Sequence, residues 1–471
     1  MHHKRGQDRQ QTNLLPESLD DFVAPDSLVR VIDVWVGHLD MAQLGFGHAQ
    51  LKARGAPPYD PADLLKLYLW GYLNAVRSSR SLEKETHRNT ECMWLLGRLT
   101  PDHKTIAQFR RNNMQALVAM CACFVEFARE QGLIGGRTVA IDGSKLRAVS
   151  SRKAVLSKKK LIERARKNAQ QIAQYMAMLD EQDENEGSQE GRPQQVKAAL
   201  QRLQAEGVQI EQQLQQLQEA GVETLVQTEP DAQAMKSLQS APGYNLQTAV
   251  EVDSHLIVHH EVTAAANDLH QLQPMAEGAS RALGGPCTAV ADAGYANGAM
   301  LAAVQQQGIS TYVADNRGVN NKGLMDRSAF SYDARQDCYT CPQGNTLRRR
   351  RVLPLTQQIV YQAKREDCGA CPMKAGCTAA PQRSVTRHLH EAALQANSQR
   401  MRQQPQMMKV RRCVAEHPFA DLKHQILGNA RLLMRGMAGA TAELSIAVQV
   451  YNLKRVFNLK GAAWMREALQ G

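Results

Sequence analysis

Between residues 137 and 313 the chain repeats one device. Short β-branched runs end in glycine or small polar turns: "TVAI", "NLQTAVEV", "LIVHHEV", "CTAVA" and "STYVA". Runs of this length and composition read as buried strands rather than helices. The second and third flank "DSH" and predict an antiparallel hairpin. A helix over "NDLHQLQPMAEGASRALGG", capped by Asn267 or Asp268, and another after "DAGYANG" separate the last three. The order is strand, strand, strand, helix, strand, helix, strand. It predicts a mixed α/β sheet.

That order holds once residues 151–240 are set aside. One arm there carries Ala165, Ala169, Ile172, Met176 and Leu179 at near-heptad spacing. The other carries Val196, Leu200, Leu203, Ile210, Leu214 and Leu217, with Gly207 at the missing seam position. The pattern predicts a coiled-coil-like helical hairpin inserted between the first two strands, with an acidic tip. A solvated spacer, a DNA contact and a dimer contact all fit it.

The flanks differ from this core. Residues 1–135 read as an all-α domain. Asp60 is an expected N-cap with Pro61 at the first helical position. Ile106, Phe109, Leu117, Met120, Phe124 and Phe127 form a second apolar stripe, with Arg110 and Arg111 beside it. Residues 136–330 hold the first part of the α/β core, 331–380 are cysteine-rich, and 381–471 return to helix.

Charge narrows the partners. The formal net charge is +11 with a pI near 9.2, so the chain is drawn to polyanions, nucleic acid foremost. No secretory h-region and no run of about 18 apolar residues is visible, so neither export nor a membrane partner is expected. Ten cysteines in such a chain are expected to be reduced or metal-bound rather than paired.

Two carboxylates stand out. Asp142 in "IDGS" and Asp292 in "ADAG" each directly follow a short strand. Taken singly, each is an ordinary turn residue, like Asp253 or Asp315. Carboxylates meeting at one sheet edge repel unless a cation lies between them. Mg²⁺ is the hard cation such a pair holds. A third carboxylate from a crossing helix would complete a site for phosphodiester chemistry. Glu416 is the candidate, with Arg412 and Lys423 on the same face if the segment is helical through Pro418. Glu443 is its rival.

At this point the chain resembles a DDE transposase of a bacterial insertion sequence. The resemblance runs through "QDRQQTNLLPESLDDFVAPDSLVRVID", "PDHKTIAQFRRNN", "AIDGSKLRA", "PGYNLQTAVEVDSHLIVHHEVT", "VADAGYANG" and "RRCVAEHPFADLKHQILGNARLLMRG". It implies a ribonuclease-H-like mixed sheet with the helical insertion, preceded by the all-α domain, which would bind DNA ends. It implies Asp142, Asp292 and Glu416 as catalytic ligands of Mg²⁺ or Mn²⁺. Lys145, Arg147, Arg110, Arg111, Arg412 and Lys423 would grip DNA phosphates, with "LRRRR" at 347–351 either joining them or standing as a solvated edge. The expected partners are double-stranded DNA, as element terminal repeats and target, and a second copy of the chain, in the bacterial cytoplasm at the nucleoid. The tyrosine of the related signature is replaced by Lys409, and a customary glycine by Ala420. A catalytically inactive DNA-binding derivative is the alternative function, and a nuclease that cuts without joining is a further one. A helix-turn-helix-like reader built on "HKTIAQFRR" fits the front region, as does a plain helical bundle.

The cysteines form a separate constellation. Cys338 and Cys341, then Cys368 and Cys371, make two C-x2-C pairs, with Cys377 beyond. Such pairs suit tetrahedral structural Zn²⁺ or pack as reduced thiols.

Overall fold

The computed structural model describes residues 18–51, 57–184, 192–219, 221–314 and 323–470. The expected tip of the helical hairpin and Asp315 fall wholly or partly outside them.

The front is helical, as its periodicity predicts: α1 (Leu28–His38), α2 (Pro61–Leu73), α3 (Ser79–Arg88), α4 (Thr90–Leu95), α5 (His103–Asn112) and α6 (Met114–Glu130). The Asp60 side chain caps α2 by accepting from the Ala62 N–H, with Pro61 opening the helix. A second helical block closes the chain: α16 runs Gly436–Gln470 and breaks at Gly461, where φ is 83°. α1, α2 and α6 pack against α16, and their apolar residues share one core with the sheet. Trp35, Tyr68, Phe124 and Tyr451 lie fully buried in it. The front helices are therefore continuous with the body of the molecule.

The central sheet is built from β1 (Thr138–Arg147), β4 (Gln233–Met235), β5 (Ala241–Glu251), β6 (Ile257–Thr263), β7 (Thr288–Ala291) and β8 (Ser310–Val313). Between β1 and β4 come β2 (Val155–Ser157), α7 (Lys158–Glu184), α8 (Arg192–Glu219) and β3 (Thr224–Val226). Crossovers α9 (Leu272–Ala282) and α10 (Gly298–Gln306) join β6 to β7 and β7 to β8. β5 pairs antiparallel with β1 and, on its other edge, with β6 and β4. β7 pairs parallel with β1, and β8 parallel with β7. The sheet is mixed, in the order expected from the strand runs.

Two local expectations change. β1 does not stop before Asp142: antiparallel pairing to β5 carries it on to Arg147. Only the parallel pairing to β7 ends early, at Ala140 with Val290. α9 starts at Leu272 rather than at Asn267 or Asp268, because the Asp268 carboxylate is taken by other partners.

The insertion is a helical pair on a two-stranded base, β2 with β3, and has its own small core of Leu156, Leu161, Ile210 and Leu217. The first arm keeps Ala165 against this core but departs from the heptad reading at two positions further on. Asn168, not Ala169, faces the second arm and donates to the Leu203 carbonyl at 3.0 Å. Gly207 makes room for it, since a Cβ there would lie 3.2 Å from the Asn168 Oδ1. Met176 is 51% exposed instead of packed.

A second sheet follows the first: β9 (Ser331–Asp333), β10 (Cys338–Thr340), β11 (Thr346–Leu353), β12 (Gln358–Gln362) and β13 (Ser384–His388), in the spatial order β13-β12-β11-β10-β9. Short helices α11 (Arg365–Gly369) and α12 (Lys374–Cys377) lie between β12 and β13. Phe330, Tyr339, Leu347, Tyr361, Ala363 and Val385 form its separate core. The chain then returns through α13 (Glu391–Gln403), α14 (Met407–Ala415), α15 (His417–Ala420) and a π-helical turn over Asp421–Ile426. α14 packs across β1, β5 and β7. Among the described residues no helix is long and apolar enough to cross a membrane.

Candidate active site

The sheet brings the first two carboxylates level. Ala140 pairs with Val290 in parallel register, and Asp142 and Asp292 each lie two residues further along neighbouring strands. Past β7 the chain turns away, and the Asp292 carboxylate caps that turn through the Gly294 N–H at 2.8 Å. Between these strands and α14 sits Arg411. Its Nη2 is 2.7 Å from Asp142 Oδ2 and 3.5 Å from Asp292 Oδ2, and its Nη1 is 3.7 Å from Glu416 Oε1. One guanidinium thus gathers the three expected carboxylates from three elements. The Arg411 side chain is 12% exposed, whereas those of Asp292 and Glu416 are 45% and 64% exposed. The Arg411 Nε is buried without a hydrogen-bond partner.

The helix geometry differs from the straight face drawn from sequence. α14 ends at Ala415, and Pro418 starts α15. A proline has no N–H for the preceding turn, so the winding is interrupted there. A π turn follows, and its wider winding discards the phase linking Arg412, Glu416 and Lys423. Arg412 is exposed and makes none of these carboxylate contacts; Arg411, one position earlier, makes them. Lys423 does reach the site. Burial pulls its ammonium pKa down and neighbouring Lys145 adds to the fall, while Asp142 opposes it.

A fourth carboxylate lies behind the first three. Lys145 Nζ donates to both oxygens of Asp268, at 3.0 and 2.8 Å, and Asn245 and Gln247 donate to its Oδ1. Gly143 is required here, because a Cβ would stand 2.1 Å from Gln247 Nε2 and 2.8 Å from Asp268 Oδ1. Burial pushes the Asp142 carboxyl up, to about 6; Arg411 and the Gly143 N–H pull it down, while Asp292 and Asp268 push it further up. Asp268 and Arg411 were not singled out in the sequence. An aspartate beside "NDL" reads as a cap, and the arginine pair at 411–412 is ambiguous without the true helix phase.

The all-oxygen, acidic donor set suits a hard divalent cation. Among the described residues, however, no three of His, Cys, Asp or Glu stand close enough as they are to hold one ion. The three carboxylates are spread around a guanidinium.

Other expected site residues fall differently. Arg110 is 8% exposed, donates to the Tyr72 hydroxyl at 3.0 Å and lies over the Tyr68 ring, so it braces the core and cannot meet DNA. Lys145 is committed to Asp268 rather than free for phosphate. Arg147 and Arg111 are exposed. On α5, Lys104, Gln108 and Arg111 share one exposed face. Glu443, the rival third carboxylate, is 0% exposed and saturated: it accepts from Arg77 Nη1 at 2.9 Å and from the Leu433 and Met434 N–H groups at 2.8 and 2.9 Å.

The thiols fall differently as well. Cys338 lies on β10 with its thiol toward Gln336. Burial pushes the Cys377 thiol up against the pull of Arg383, and Cys368, Cys371 and Cys341 add to the rise. Among the described residues no three of these thiols stand close enough as they are to hold one ion.

Comparison with known proteins places this geometry. A family model described as "Transposase domain (DUF772)" matches residues 17–112. A second, "Transposase DDE domain", matches residues 340–457, which include Arg411 and Glu416. No curated protein matches the chain. Among solved structures the chain is similar to the piggyBac transposase in a cryo-EM synaptic complex with hairpin DNA, at 8% identity over 94% of this chain and 79% of that one; the TM-score is 0.31, too low to carry an argument. With a transposase domain at its front and a DDE domain near its end, the chain belongs to the DDE transposases of insertion sequences.

Proposed function

We propose that the protein cleaves the ends of its insertion sequence and joins them to target DNA at Asp142, Asp292 and Glu416. The observation that carries this reading is the convergence of these three carboxylates, from β1, the end of β7 and the α14–α15 junction, on one point beneath α14. The order β6-β5-β1-β7-β8, with the first three strands antiparallel and the last two parallel to β1, supports a ribonuclease-H-like catalytic core.

The carboxylates would hold Mg²⁺ or Mn²⁺, which when bound lowers the cost of charge on the attacking and leaving oxygens of a phosphodiester. Asp142, within β1, and Asp292, just past the end of β7, would form the floor of the site. Glu416, on a broken helix, is free to adjust. Arg411 offsets part of the charge of the acidic cluster and would have to yield its central place when a cation enters. Lys423 and Arg412 border the site and offer positive charge to the DNA backbone, and Arg147 continues that surface along β1. The exposed face of α5, with Lys104, Gln108 and Arg111, is the front region's best candidate for reading a terminal repeat. Two copies of the chain would bring two ends together. The zinc expectation for Cys338, Cys341, Cys368 and Cys371 is tested by the zinc content of purified folded protein; less than half an equivalent removes it.

A strand-transfer assay with labelled element ends tests the reading. Cleavage and joining that need Mg²⁺ and vanish in Asp142→Ala support it. Cleavage without joining identifies a nuclease. Sequence-specific binding with neither step identifies an inactive derivative. Activity that survives Asp142→Ala or Asp292→Ala removes the triad.

A further inference from the structure

The β11–β12 hairpin combines features that a merely soluble sheet edge has no use for. Arg348, Arg350 and Arg351 are exposed along β11 and have no carboxylate partner among the described residues; Arg349 pairs with Asp337. The register shifts between Arg349 and Arg351, and a bulge of this kind bends and twists the strand toward its tip. At the tip, Pro354 opens a short turn and Leu355 is 101% exposed, with Val352 on the strand before it 38% exposed. A lone exposed leucine is unremarkable. An apolar tip on a strand of unpaired arginines, directed at an open cleft, is not.

The position of the cleft matters most. Leu355 and Pro354 line one wall of a space of about 1100 Å³. Leu269, His270 and Asn297, on the segments that follow Asp268 and Asp292, line the same space. The hairpin tip and the segments that follow Asp268 and Asp292 therefore border one cleft, at or above the roughly 300–1,000 Å³ of common small-ligand pockets.

We propose that Leu355 is a DNA wedge. With a scissile phosphate at Asp142, Asp292 and Glu416, the flanking duplex runs through this cleft. Arg348, Arg350 and Arg351 hold its backbone, and Leu355 enters the base stack beside the cut. Positive charge supplies affinity without regard to sequence, and an inserted apolar side chain unstacks a base step. The opened end leaves its terminal phosphate more accessible to the carboxylates. This inference rests on the reading of the site as a DNA-cleaving one.

The test uses the full chain and a short duplex carrying 2-aminopurine next to one end, with Ca²⁺ in place of Mg²⁺ so that no cleavage occurs. Binding by the unaltered protein should raise the 2-aminopurine fluorescence severalfold. Leu355→Ser should lose most of that rise while its melting temperature stays unchanged and its affinity falls less than about threefold, and Leu355→Met should restore the rise. Arg350→Ala with Arg351→Ala should weaken binding and lower the salt slope by about one per residue. A rise that persists in Leu355→Ser overturns the wedge while leaving the proposed function standing. So does a change of oligomeric state in Leu355→Ser without DNA, which would make the tip a contact between copies. If the unaltered protein binds no duplex, the wedge and the proposed function fall together.

Discussion

Glu416 and Glu443 lie in the same C-terminal stretch, and each faces an arginine, yet they have opposite fates. Glu443 is fully buried, and its oxygens accept from Arg77 and two backbone N–H groups. Arg77 in turn donates to the Arg431 carbonyl and to Asn429. Charge and hydrogen bonds balance there, so the pair joins the front of the chain to α16 and leaves nothing for a ligand. At Glu416 the balance fails. One guanidinium is shared among three carboxylates, two of them well exposed, and its nearest approach to Glu416 is 3.7 Å. A saturated pair acts as structure; an under-neutralised cluster open to solvent is what the proposed cation site requires. What separates them is stoichiometry and exposure, which residue type alone does not reveal.

The contrast can be broken in several ways, beginning with the largest effect. If the proposed triad is right, Asp292→Asn and Glu416→Gln should each lower Mg²⁺-dependent end cleavage by about a thousandfold or more, because a metal held there would supply several kcal/mol of transition-state stabilisation. Gel assays of end cleavage measure it, and a loss under tenfold for Glu416→Gln would move the third carboxylate elsewhere. Arg77→Met should cost about 3–5 kcal/mol of unfolding free energy by leaving Glu443 charged and buried. Glu416→Gln in the same urea titration should stay within about 0.5 kcal/mol. Equal losses would erase the distinction between the two glutamates.

Arg411→Met sharpens the comparison at its centre. With the shared cation removed, the metal-free protein should melt lower than the unaltered protein at neutral pH. Added Mg²⁺ should raise its melting temperature more than it raises that of the unaltered protein, since binding to the folded state alone stabilises by mass action. Identical Mg²⁺ shifts in both proteins would show that Arg411 does not compete for the site.

The smallest effect concerns pH. The His260 Nε2 lies 2.8 Å from the Ser445 hydroxyl, in the interface between β6 and α16. Burial pulls its imidazole pKa down, to about 4; His259 adds to this and Glu261 opposes it. Between about 4 and the ordinary 6.5 the unfolded chain binds the proton and the folded one does not. The contribution is therefore complete above about 6.5 and is lost as pH falls through that window, by roughly 1–2 kcal/mol at pH 5. His260→Asn should flatten this part of the stability profile. A profile as steep in the variant as in the unaltered protein would assign the loss to other groups.

Much of this architecture was legible along the chain. The short β-branched runs named the strands of the central sheet in order, and Asp60 with Pro61 marked a helix start that the fold keeps. Asp142, Asp292 and Glu416 could be nominated because strand-end carboxylates and a late helical one are chemically suggestive even when far apart. The errors share a cause. Ala169 in place of Asn168 and a helix beginning at Asn267 or Asp268 are mistakes of phase or boundary. A periodic pattern specifies a face to within about one residue, and a proline or a π turn shifts everything beyond it. Arg110 looked like a surface cation because it stands beside Arg111 at the margin of the apolar stripe; its neighbours in space are Tyr68 and Tyr72.

Taken alone, the sequence determined the element types, the mixed sheet, the inserted helical pair and the chemical character of the site, since these follow from local periodicity and residue chemistry. Only the tertiary structure decided which charges meet. The parallel register of β1 with β7 set Asp142 level with Asp292, the break at Pro418 freed Glu416, and the packing of α14 across the sheet put Arg411 among all three. Coulomb interactions act through space with no regard for distance along the chain. Whether a carboxylate is structural or available is therefore settled by its partners, and those are chosen by the fold.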